Sequence, residues 1–185
     1  MRDTLSRRAF MLPVIVTGLG HWDTARVYAQ DKPETQPSHS ATPPAGSTGS
    51  QAFPTAADKA LLAMVTRAEA LQIKGVAVVA YIEGNSVTAW SSKMTVVGSM
   101  KNAPSAKDHG SNLLAIAYSK AAEMADSLKE SGNAGRPPMT GEFGWPGGVI
   151  SKGKTGYLIA SFSGGPSEDD VRVSRAGLEV LARLL

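Results

Sequence analysis

The chain has 185 residues, with 19 Lys and Arg against 16 Asp and Glu, and no cysteine. Without cysteine there can be no disulfide, thiolate nucleophile, cysteine-ligated zinc, covalent c-type haem or lipoprotein anchor. The basic excess is concentrated at the amino terminus: removing Arg2, Arg7, Arg8 and Arg26 with Asp3 and Asp23 leaves 15 basic and 14 acidic residues. No basic stripe then remains to neutralise a phosphate backbone, and nucleic acid is not an expected partner.

Ser6-Arg7-Arg8-Ala9-Phe10-Met11 pairs two arginines ahead of an apolar run from Phe10 to Leu19, and Val27-Tyr28-Ala29 offers small residues to a signal peptidase. The pattern is that of a twin-arginine export signal spanning 1–29. The run is about ten residues, half of the roughly 20 that span a bilayer as a helix. Cleavage after Ala29, a periplasmic or secreted location and no stable membrane anchor are therefore expected. Residues 30–54 are rich in Pro, Ser, Thr and Gly and poor in large apolar residues, which predicts a disordered linker. His39 lies inside it with no second ligand at a chelating spacing.

A folded α+β domain is expected over 55–185, with an antiparallel β-sheet flanked by helices. Thr55 reads as the cap of a first helix with Asp58 as its capping acid, and Leu61, Met64, Val65 and Ala68 mark its buried face. Val76 to Ile82 and Ser86 to Val97 read as a hairpin turning at Glu83-Gly84-Asn85. A loop follows from Gly98 to Lys107, then a second helix capped by Asp108 or Ser111. Its apolar face is Leu114, Ala117, Tyr118, Ala121, Ala125 and Leu128, and Gly132 is its expected stop. Ser131 to Gly148 is a Gly/Pro-rich connection of a length typical of binding loops.

Tyr157 to Phe162 reads as a buried strand, broken by Ser163-Gly164-Gly165-Pro166. Ser167 is the expected cap of the last helix, with Asp170 in the capping-box position and Glu168 and Asp169 complementing the helix dipole. Val173, Ala176, Gly177, Val180, Leu181 and Leu184 share one face, expected to pack on the sheet with Gly177 allowing close approach. A glycine turn before a helix is a potential anion seat. Three acids in the first turn argue against a phosphate, so a turn with a self-capped helix is the expectation.

Over residues 55–185 the chain resembles the GlcG/HbpS family. The resemblance rests on the Ala-rich first helix followed by a Val-rich strand, Ala117-Tyr118-Ser119-Lys120-Ala121, Gly144-Trp145-Pro146, and Ser163-Gly164 ahead of the acids that open the last helix. It implies a small α+β protein linked to haem binding or to accessory roles beside enzymes, assembled as a symmetric homo-oligomer. Trp90, Phe143 and Trp145 would be interface anchors. Where the family helix carries a Thr after Lys-Ala and a variable residue, this chain has Glu123, which favours a cation or a hydrogen-bond donor.

The ligand-binding residues expected from these readings are His109, Tyr118, Lys120, Glu123, Trp145, Ser163 and Gly164. His109, the only histidine after the linker, is the candidate metal ligand, to haem iron, with a catalytic base or a helix-start support as alternatives. Lys120 is open to pairing with Glu123 at i,i+3, to snorkelling, or to meeting an anionic ligand. No nucleophile elbow is present around Ser163. The leading expectation is an exported, oligomeric binding protein for haem or a similar small planar or aromatic ligand. The alternatives are a periplasmic enzyme or enzyme accessory acting on a small organic acid, and a structural oligomer without ligand.

Overall fold

The computed structural model describes residues 48–185. The expected signal segment, the linker up to residue 47 and His39 lie outside the described residues. The elements in chain order are α1 (Thr48–Ala70), β1 (Gly75–Glu83), β2 (Trp90–Val97), β3 (Lys101–Asn102), β4 (Ser111–Asn112), α2 (Leu113–Ser127), β5 (Gly148–Lys152), β6 (Gly156–Ser163) and α3 (Ser167–Leu184). β2, β1, β6 and β5 form, in that order, one antiparallel sheet. The α+β class and the flanked antiparallel sheet are as the sequence predicts.

The sheet is covered on both faces, which explains the unbroken apolar run of β1. Ala77, Val79 and Tyr81 point to one side and pack with Leu158, Ala160 and Phe162 against α1 and α3. Val76, Val78, Ala80 and Ile82 point to the other side and meet Ala117, Ala121 and Met124 of α2. A strand buried on both faces cannot alternate with polar residues, whatever the direction of its neighbours.

Several boundaries differ from the sequence reading, each for a local reason. α1 begins at Thr48, so residues 48–54 of the expected linker are helical, and the helix runs through Pro54. Phe53 anchors this extension: it is buried and stacks on Tyr81 with ring centroids 6.1 Å apart. The β1–β2 connection spans 84–89 instead of a tight turn, because Ile82 pairs with Trp90; Val87 is left exposed. Inside the expected 98–107 loop and just beyond it, Lys101 and Asn102 pair with Asn112 and Ser111 as a short β-ribbon.

That ribbon moves the start of the second helix. Asn112 caps α2 by accepting the Ala115 N–H at 3.1 Å, while Asp108 accepts the Gly110 N–H in the ribbon turn. α2 stops at Leu128, which adopts the left-handed conformation and donates its N–H to the Met124 carbonyl, four residues before Gly132. In α3 the cap position is Pro166, with Ser167 already helical. Gly177 makes its close approach to Met64 of α1, and not to the sheet.

Candidate functional site

α2 carries side chains to three surroundings at once. Lys120 is 3% exposed, in the middle of a helix whose sheet-facing residues are alanines and Met124. Its ammonium donates to Asp170 Oδ2 of α3 and to the Phe162 carbonyl of β6, both at 2.8 Å. The remaining Asp170 oxygen accepts the Gly165 N–H at 2.9 Å. Asp170 thus caps the turn before α3 and neutralises Lys120, and burial pushes its carboxyl above the ordinary value against the opposing pull of the ammonium. The Lys120–Glu123 pair expected from spacing is not formed.

Around this ion pair lies a cleft of about 160 Å³. Its walls are Leu113, Ile116 and Lys120 of α2, Trp145 of the long loop, Asn102 and Ser111 of the ribbon, and the Ser163–Gly165, Ser167 and Asp170 turn into α3. Backbone approach shapes it. A side chain on Gly164 would fall on the Lys74 carbonyl oxygen, and one on Gly147 would occupy the place of the Lys120 ammonium. Ser163 is 4% exposed and lies in the wall of this cleft. Of the expected ligand residues, Lys120, Trp145, Ser163 and Gly164 line this cleft.

The other three lie elsewhere. Tyr118 is on the β2 side of α2, its hydroxyl 3.3 Å from Ser92 Oγ and its ring tilted against Trp90. Glu123 is buried beneath the long loop, where Oε1 accepts the Gly132 N–H at 2.8 Å and Oε2 has no hydrogen-bond partner among the described residues. His109 is exposed on the β3–β4 connection. Among the described residues no group of three or more His, Cys, Asp or Glu is placed to hold a metal ion. No His, Met or Tyr lines the cleft, so its wall offers no axial ligand of these kinds to haem iron.

The loop from 131 to 147 is tied to α2 along its length. Ser119 Oγ donates to the Gly141 carbonyl, Glu123 takes the Gly132 N–H, and Arg136 bridges Asp126 of α2 to Glu142 of the loop. The Arg136 guanidinium holds the Glu142 carboxyl down to about 2, with help from the Met139 N–H. Ser131 and Ser174 fix the end of the loop through the Gly148 N–H and the Gly147 carbonyl. The exposed tip presents Phe143 stacked on Trp145, with centroids 4.8 Å apart.

Sequence reasoning missed Asp170 as the partner of Lys120, together with the ribbon residues Asn102 and Ser111. A lysine within an Ala-rich buried face signals that some distant carboxylate must meet it. Two further pockets are mainly apolar: one of about 390 Å³ between Val87–Trp90 and Ala122, Ala125 and Asp126, and one of about 500 Å³ along α1 beside Leu62 and Thr66. No family model matches the chain, and a search of curated proteins returns no match.

Proposed function

We propose that this protein is an exported binding protein for a small planar ligand held in the cleft under Trp145. The observation that carries the reading is the convergence of Lys120, Trp145, Ser163 and Gly164, from three separate segments, on one cleft of about 160 Å³. Trp145 supplies an aromatic wall, Leu113 and Ile116 an apolar floor, and the serines a polar end. The twin-arginine motif at Arg7-Arg8 supports export, and exposed Trp90, Phe143 and Trp145 support assembly into a homo-oligomer. The small-acid alternative uses the same cleft, and the haem alternative takes any His, Met or Tyr ligand from outside it.

The test is a titration of the full chain with benzoate, benzamide and haemin, followed by the Trp145 indole resonance and by the Soret band, beside light scattering. Saturable binding of either single-ring compound that shifts the Trp145 resonance and is lost in Trp145→Ala supports the reading. A saturable Soret change with the Trp145 resonance unmoved, or no binding of any probe, overturns it.

A further inference from the structure

We infer that this cleft captures a small aldehyde or ketone covalently, with the Lys120 amine as nucleophile and the Asp170 carboxylate as its proton acceptor; the inference rests on the binding reading above. The two groups come from different helices and meet at 2.8 Å, and both line the cleft. That separation is the one at which a base activates a nucleophile. A buried ion pair adds little stability over apolar side chains of similar size. This pair borders a ligand-sized space and not the closed core, which points to chemistry. Burial raises the Asp170 carboxyl above its ordinary value, in the direction that lets it hold the proton. The Phe162 carbonyl accepts a second ammonium N–H at 2.8 Å and fixes the end of the lysine. Leu113, Ile116 and Trp145 add apolar wall, and Asn102 and Ser111 border the same space with side chains able to donate to a carbonyl oxygen.

The step balances within the pair. The Lys120 ammonium passes one proton to Asp170, and the freed nitrogen lone pair attacks the carbonyl carbon while the C=O π pair moves to oxygen. A second proton passes from nitrogen to that oxygen, giving a neutral carbinolamine. Asp170 then gives its proton to the hydroxyl, which leaves as water while the nitrogen lone pair closes the C=N bond. Ammonium and carbonyl compound have become a protonated imine and water, with nothing oxidised or reduced. The nitrogen is positive before and after, so the buried carboxylate keeps a partner at both ends.

Reductive trapping on the full chain tests this. Benzaldehyde is the probe, cyanoborohydride converts each imine to a stable benzyl amine, and peptide mass mapping locates it. Lys107 and Lys154, both exposed, are the internal references. Unassisted reaction follows exposure and would modify Lys120, 3% exposed, last. Lys120 should instead react about tenfold or more faster than either reference, because the cleft holds the aldehyde against it. Saturating benzamide should remove that excess and leave the references unchanged. Lys120 reacting no faster than the references overturns the inference, and benzamide that still shifts the Trp145 resonance then leaves the cleft reading intact. Fast modification that bound benzamide does not slow also overturns it. Absence of both benzamide binding and Lys120 modification removes the cleft reading, and the imine with it.

Discussion

Breaking the Lys120–Asp170 pair from either side should have unequal consequences. Both side chains are 4% exposed and the N–O distance is 2.8 Å, so removing one partner strands a charge away from water. Asp170→Leu leaves an ammonium with the Phe162 carbonyl as its one remaining partner and also frees the Gly165 N–H. Loss of one member of a buried pair costs about 3–5 kcal/mol, against a total stability of about 5–15 kcal/mol for a domain. With a urea dependence of about 1–3 kcal/mol per molar, the midpoint falls by about 2 M.

Lys120→Met should be milder, because the stranded carboxyl can take up a proton. Burial already raises Asp170 above its usual 3.8, and loss of the ammonium removes the main influence holding it down. The native state then binds more protons than the unfolded chain above pH 3.8. The stability of Lys120→Met should therefore be greatest at low pH and fall as pH rises through the folded value. The double variant Lys120→Met/Asp170→Leu should recover most of the loss, since neither charge remains. Urea unfolding of the full chain and the three variants at several pH values measures all of this. Single-variant costs below about 1 kcal/mol, or a double-variant cost equal to the sum of the two, would refute the reasoning.

The Arg136–Glu142 tie should give the long loop an acid-sensitive anchor. Glu142 is lowered to about 2 from 4.5, so its contribution is complete above 4.5 and is lost as pH falls through about 2. The Gly141 amide and Arg136 side-chain resonances should report that midpoint and stop titrating in Glu142→Gln; a midpoint near 4.5 would contradict it. Glu123→Gln keeps an acceptor for the Gly132 N–H and removes a buried charge whose second oxygen is unpartnered. Its melting temperature should match or exceed that of the native protein, whereas Glu123→Ala should cost about 1–3 kcal/mol. Equal losses in the two variants would sink this account.

The parts legible in the sequence were those governed by local pattern. The Val-rich β1, the hairpin to β2, the Tyr157–Phe162 strand and most of the α3 face are each set by periodicity within a few residues, whereas Leu184 at the end of that face is exposed. What escaped was set by partners far along the chain. Pro54 reads locally as a stop, yet Phe53 reaches Tyr81 and the helix continues. Asp108 and Ser111 both read as caps, but pairing of 101–102 with 111–112 hands that role to Asn112. At the site, Lys120, Trp145, Ser163 and Gly164 were identified from composition and resemblance. Asp170 was assigned to its own helix, because nothing in a single segment shows that its second oxygen faces a lysine 50 positions earlier.

The triple duty of α2 sets how freely it can vary. Ala117, Ala121 and Met124 fill the sheet face, Leu113, Ile116 and Lys120 wall the cleft, and Ser119, Glu123 and Asp126 hold the long loop. Exposed residues without such a duty come down to little more than Ala115 and Ala122. In a saturation mutagenesis survey this helix should stand out as the least permissive of the three. A change of ligand preference should then arise more readily from the ribbon at Asn102 and Ser111 or from the loop tip at Trp145, where a new side chain disturbs one surface at a time.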